Sequence, residues 1–216
     1  MQETETYKPS ILLRIPAKII SYVFHPLFIP TYIFIFLMYR FPYEFSNITL
    51  WKLKMRFFGL FWFTAFFPAF IVFLLWRLKW SESIYLRTQK DRVIPFFVTM
   101  FFYWWMYYLS RNFTDQPIVL KFFYFGIFIS TSVGVIINNY IKISLHAMAL
   151  GAASAAMVLF AFYYHIQITS AISITFLLTG IVCSSRLIAS DHTNTEIYIG
   201  LFVGIICQMI GYWFAM

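Results

Sequence analysis

Charge is what this chain has least of. Only 11% of its 216 residues are Asp, Glu, Lys or Arg, where a soluble domain carries about 25%. So few ionic side chains cannot cover a globule of this size with polar surface. Acids are the scarcer half, eight against sixteen Lys and Arg. Cysteine is nearly absent too. Cys183 and Cys207 each lie inside an apolar run with no C-x-x-C spacing, which argues against a disulfide scaffold and a structural zinc site and leaves both as small buried hydrophobes. There is no internal repeat, Gly/Ser linker or low-complexity tract, so disordered, collagen-like and coiled-coil classes are excluded. No small-residue cleavage site follows a short apolar core near the start, so residues 1–18 read as a polar tail, not a signal peptide.

What the chain has instead is apolar length. It is 62% hydrophobic and 23% aromatic, with a mean hydropathy of +0.77. An all-α, polytopic transmembrane bundle of six or seven spans in a single domain, residues 19–216, is the expectation. Apolar runs fall at 19–38, 57–76, 93–110, 118–138, 145–164, 169–185 and 197–216. Pro26, Pro30 and Pro68 lie inside runs, where neighbouring helices can satisfy the freed carbonyls. Ser130, Thr131, Ser132 and Gly134 interrupt the fourth run, which is expected to be shortened or partly re-entrant. The Ala-rich stretch from Ala147 to Ala156, with Gly151 and Ser154, reads as close helix packing. Aromatic clusters such as 101–105 read as lipid-facing, not as a platform for nucleic acid.

The net charge of +8 is best read against anionic lipid headgroups. With seven spans, the N-terminus and loops 77–92, 139–144 and 186–196 share one face, which holds ten of the sixteen cations. The positive-inside rule would make that face cytoplasmic. Five of the ten (Arg87, Lys90, Arg92, Lys142, Arg186) are also candidates for a functional site, and without them the balance is five against six. Orientation stays open. The compact size points to a bacterial inner membrane.

Ionisable groups at membrane depth are costly and often functional. Three polar segments stand out: 85–95 with Arg87, Lys90 and Arg92; 142–147 with Ser144 and His146; and 184–196 with Arg186, Asp191, His192 and Glu196. An even number of spans separates each pair, so all three meet one face. Several fixed cations with two histidines suit phosphoryl transfer. The cations clamp the phosphate, one imidazole attacks phosphorus, and a second protonates the leaving oxygen. His192 and Glu196, at i and i+4, face the same way on a helix, and a carboxylate there fixes the imidazole tautomer. A transport pathway or scramblase for anionic lipids would use the same cations without chemistry.

At these residues the chain resembles the type 2 phosphatidic acid phosphatase superfamily of membrane lipid phosphatases. Its third motif, Ser-Arg-x5-His-x3-Asp, is matched by Ser185, Arg186, His192 and Glu196, with Glu in place of Asp. Its second, Pro-Ser-Gly-His, is matched in part by Ser144 and His146, with Ile143 and Leu145 replacing Pro and Gly. Its first, Lys-x6-Arg-Pro, has only the approximate counterparts Lys90 and Arg92, with Arg87 nearby and Pro95 following. The likeness covers about residues 85–200. It implies a phosphatase acting on a lipid phosphate or pyrophosphate through a phosphohistidine, with a lipid phosphotransferase as the near variant. His192 would be the nucleophile, Glu196 its orienting carboxylate and His146 the general acid. Arg186, Arg92, Lys90, Ser144 and Arg87 would bind phosphate. No metal or cofactor and no nucleic-acid partner is implied; the partners are the substrate and membrane lipids.

The remaining polar residues have plainer readings. His25 is expected to be a packed, hydrogen-bonded histidine on the site's face, His165 to have no role, and Asp191 to be solvated or salt-bridged. Asn47-Ile48-Thr49 and Asn112-Phe113-Thr114 match the glycosylation pattern at a length where chance matches are common.

Overall fold

The computed structural model describes residues 10–81, 83, 84, 86, 88–189 and 192–215. Among them are nine α-helices and no strand: α1 (Ile11–Val23), α2 (Ile29–Arg40), α3 (Leu50–Phe61), α4 (Phe67–Arg77), α5 (Gln89–Asn112), α6 (Ile118–Asn138), α7 (Leu145–Tyr164), α8 (Thr169–Ile188) and α9 (Asn194–Ala215). A π-helical turn, Trp62–Phe66, joins α3 to α4. Merged this way, seven helical runs are long and apolar enough to cross a membrane, and the protein is an all-α polytopic bundle. Large apolar side chains are exposed around its outside, among them Trp213 at 83% and Phe202 at 58%. That is the surface a bilayer requires of its solute.

The first run is not one straight crossing. Pro26 has no N–H to give the Tyr22 carbonyl, and the residue before a proline is driven out of the helical region. His25 accordingly adopts φ −64°, ψ 138° and α1 ends. One end of the next stretch packs His25 against His146, with ring centroids 5.3 Å apart, and the other stacks Phe41 on Tyr164 at 4.1 Å. His146 and Tyr164 are the two ends of α7, about 27 Å apart at 1.5 Å per residue. Residues 25–41 therefore run alongside α7, while α1 leaves that line and packs against α8. The helix begins at Ile11, inside the segment expected as a polar tail.

The sixth helix corrects a second expectation. α6 runs unbroken from Ile118 to Asn138, neither shortened nor re-entrant. Two of the polar residues that suggested a break are absorbed by the helix itself: Thr131 Oγ1 donates to Ile127 O at 2.8 Å and Ser132 Oγ to Phe128 O at 2.9 Å. In a bilayer such back-bonding satisfies hydroxyls without a partner helix.

The centre of the bundle is α9 packed between α6 and α7. Lipid tails are as apolar as leucine, so close van der Waals packing of small residues has to hold helices together. A Cβ added at Gly204 of α9 would lie 2.0 Å from Met148 O of α7, and one at Gly200 would lie 2.6 Å from Ser144 O. The α7–α9 contact is thus backbone against backbone, as the Ala-rich stretch implies, and Ala147, Ala152 and Ala156 are at most 1% exposed. This joint carries the polar residues at its end.

Candidate active site

Three helices begin at one place. Thr88 caps α5, accepting from Asp91 N at 3.1 Å and donating to Asp91 Oδ2 at 2.8 Å. Ser144 caps α7. At α9, Glu196 N donates to Thr193 Oγ1 at 3.3 Å while Thr193 N donates back to Glu196 Oε2 at 3.2 Å, a reciprocal capping box. Each N-terminus presents the positive end of a helix dipole, a setting that favours an anion.

Direct bonds tie these starts together. Arg92, 8% exposed, donates Nε to Leu86 O at 2.9 Å and Nη1 to Ile143 O at 3.1 Å. Ser144 N donates to Glu196 O at 3.3 Å. Leu86, Arg92 and the segments 143–146 and 192–196 thus form one cluster, as the span parity implies.

His192 Nδ1 lies 2.7 Å from Glu196 Oε2. A carboxylate oxygen can only accept, so Nδ1 carries the hydrogen and Nε2 keeps its lone pair. The same Oε2 also takes the Thr193 N–H. Glu at this position therefore both orients His192 and closes the α9 cap. The His192 side chain is 2% exposed. Burial, with the positive charges of Arg92 and Arg186, pushes its pKa down from 6.5 to about 4, outweighing the Glu196 contact that acts the other way. At neutral pH the ring is an uncharged base with its lone pair on Nε2.

His146 is held by the helix break described above. With no N–H on Pro26, His25 N turns to Tyr22 O at 3.3 Å, and the Ser21 carbonyl it would have capped is left for His146 Nε2 at 3.0 Å. A carbonyl only accepts, so Nε2 carries the hydrogen and Nδ1 is the nitrogen left to exchange a proton. The charge of Arg186, near the end of α8, is felt at His25, His146 and His192 alike. Five of the expected residues (His192, Glu196, His146, Arg186 and Arg92) are thus brought together.

Others are not. Lys90 is exposed and lies about 200° around α5 from Arg92. Ser144 is fully buried, with its N–H on Glu196 O and its Oγ accepting from Ala147 N. It pins α7 to α9 instead of presenting itself to phosphate. Arg87 and Asp191 lie outside the described residues. His165 ends α7 in the left-handed region at φ 52°, a helix-stop role. His25 is packed, as expected. Its Nδ1 accepts from Leu27 N at 3.4 Å, and its ring lies on that of the general-acid candidate. The sequence signal for this was the His-Pro pair inside an apolar run. The chain matches no protein-family model, no curated protein and no solved structure.

Proposed function

We propose that this is an integral membrane phosphatase that removes phosphate from a lipid phosphate or pyrophosphate through a phosphohistidine at His192. The observation that carries the reading is the convergence of a neutral, carboxylate-oriented His192, a second histidine and two guanidiniums where three helix N-termini meet. The motif likeness at Ser185, Arg186, His192 and Glu196 supports it independently. A bacterial inner membrane is the setting we assign.

In this reading the substrate phosphate meets Arg92 and Arg186, which offset charge on its equatorial oxygens. The His192 Nε2 lone pair forms the P–N bond as the P–O bond to the lipid breaks. His146 Nδ1–H gives its proton to the departing oxygen, its Nε2–H remaining on Ser21 O. Glu196 stabilises the positive charge that develops on the His192 ring. Water then attacks phosphorus with His146 as base, the P–N bond breaks, and inorganic phosphate leaves. Lys90, exposed at the head of α5, attracts the headgroup.

The test is phosphate release by detergent-purified protein on polyprenyl pyrophosphate, phosphatidylglycerol phosphate, phosphatidic acid and lipid A phosphate, with chelator present. Release that survives chelator and vanishes in His192→Ala and His146→Ala supports the reading. No release from any of them, beside a working control enzyme, would sink it. Lipid translocation that persists in His192→Ala but falls in Arg186→Ala would replace it with transport.

A further inference from the structure

A second place in the bundle, away from the histidine cluster, invites a ligand. A cavity of about 560 Å³ opens between α2, α3, α5 and α6 at the opposite end, within the range of about 300–1,000 Å³ for small-molecule sites. It reaches Ser110 near the end of α5, while Arg92 sits at its start, 18 residues and about 27 Å away. The cavity is graded from polar to apolar. Lys52 and Arg56 stand at its mouth, one turn apart on α3, and Leu60 and Phe63 continue the same wall inward. Arg56 is fixed in place by an ion pair with Asp115, a 3.0 Å bond from Nη1 to Gln116 Oε1, and the Phe113 ring 4.4 Å from its guanidinium carbon. The mouth, with Lys52, Arg56 and Asp115, keeps a net charge of +1.

The cavity thus pairs a cationic rim with an apolar wall. We infer that this cavity is a binding site for an anionic glycerophospholipid. The phosphate sits at Lys52 and Arg56, and one acyl chain runs inward past Gly59 and Leu60 to Phe63. Each part of that lipid answers a separate feature: charge to the mouth, a chain to the wall. The site is distinct from the histidine cluster and does not rest on the phosphatase reading.

The experiment is native mass spectrometry of the full-length protein with phosphatidylglycerol and phosphatidylcholine of identical chains. Gly59 is the lever, because a Cβ there meets nothing nearer than Phe63 Cε2 at 4.0 Å. Wild type and Gly59→Ala should retain phosphatidylglycerol in preference to phosphatidylcholine. Gly59→Phe, which fills the cavity, should lose the bound lipid. Lys52→Glu, an exposed change that leaves the Arg56–Asp115 pair intact, should cut the preference by about fivefold or more, the worth of one basic residue at an anionic surface. Equal retention in Gly59→Phe and wild type would overturn the site. Equal retention of the two lipids by wild type would overturn its charge selectivity. Because the readout is binding, neither result bears on phosphate release.

Discussion

Gly200→Ala adds one methyl group at the joint that carries the candidate site. Its Cβ would sit 2.6 Å from Ser144 O, where ordinary contact begins at 3.4 Å, so α7 and α9 must part by about 0.8 Å at their first turns. The Ser144 N to Glu196 O bond, already 3.3 Å, would stretch to about 4.1 Å and cease to be a hydrogen bond. Overpacking costs about 1–3 kcal/mol and the orphaned, buried N–H a similar amount, offset by up to about 1 kcal/mol from the better helix propensity of alanine, for a net loss of about 1–6 kcal/mol. His192 and Glu196 would move away from His146 by the same fraction of an ångström, and a 1 Å misplacement costs about 10²-fold in rate. Gly180 is the control, since a Cβ there meets nothing within 4 Å and alanine should stabilise α8 by up to about 1 kcal/mol. Thermal unfolding in detergent and phosphate release are read side by side. If Gly200→Ala melts and turns over like Gly180→Ala, the α7–α9 joint does not set the site's geometry and the reasoning fails.

Three further outcomes can be checked. Glu196→Gln should lower turnover by about 10²-fold or more through loss of the charged partner of His192. Glu196→Asp, although it keeps the charge, should also lose activity, because the shorter side chain cannot serve His192 Nδ1 and Thr193 N together; a fully active Asp variant would refute the double role. The His192 pKa falls from 6.5 to about 4 on folding, so between those values the unfolded chain binds more protons. Its contribution to stability is complete above pH 6.5 and is lost as pH drops toward 4. Melting temperatures measured across that window should fall with pH in the wild type and less steeply in His192→Asn; identical slopes would count against a buried neutral ring. Pro26→Ala restores an N–H for Tyr22 O, freeing His25 N to bond Ser21 O and competing with His146 for that acceptor. Turnover should fall with little loss of thermal stability, and an unaffected rate would show that the Ser21 contact does not position His146.

Composition and pattern alone determined the class of this protein. Eleven per cent charge and seven long apolar runs leave no stable alternative to a helical membrane bundle, because backbone polar groups in lipid must be satisfied within each segment. Span parity likewise put 85–95, 142–147 and 184–196 on one face, and the i, i+4 spacing paired His192 with Glu196, since both follow from helix geometry without knowledge of neighbours. Tertiary structure decided the rest. Whether 130–132 break α6 depended on the Thr131 and Ser132 hydroxyls finding carbonyls four residues back, a choice that hydropathy does not record. Ser144 became a joint instead of a phosphate ligand because Gly200 lets α9 approach α7 to backbone contact, and Lys90 was turned away from Arg92 by the exact start of α5 at Thr88. The bond from His146 to Ser21, 125 residues away, and the cavity beneath Arg56 arise from helices that meet only in three dimensions. A sequence states which groups need partners; which partner each obtains is settled by packing.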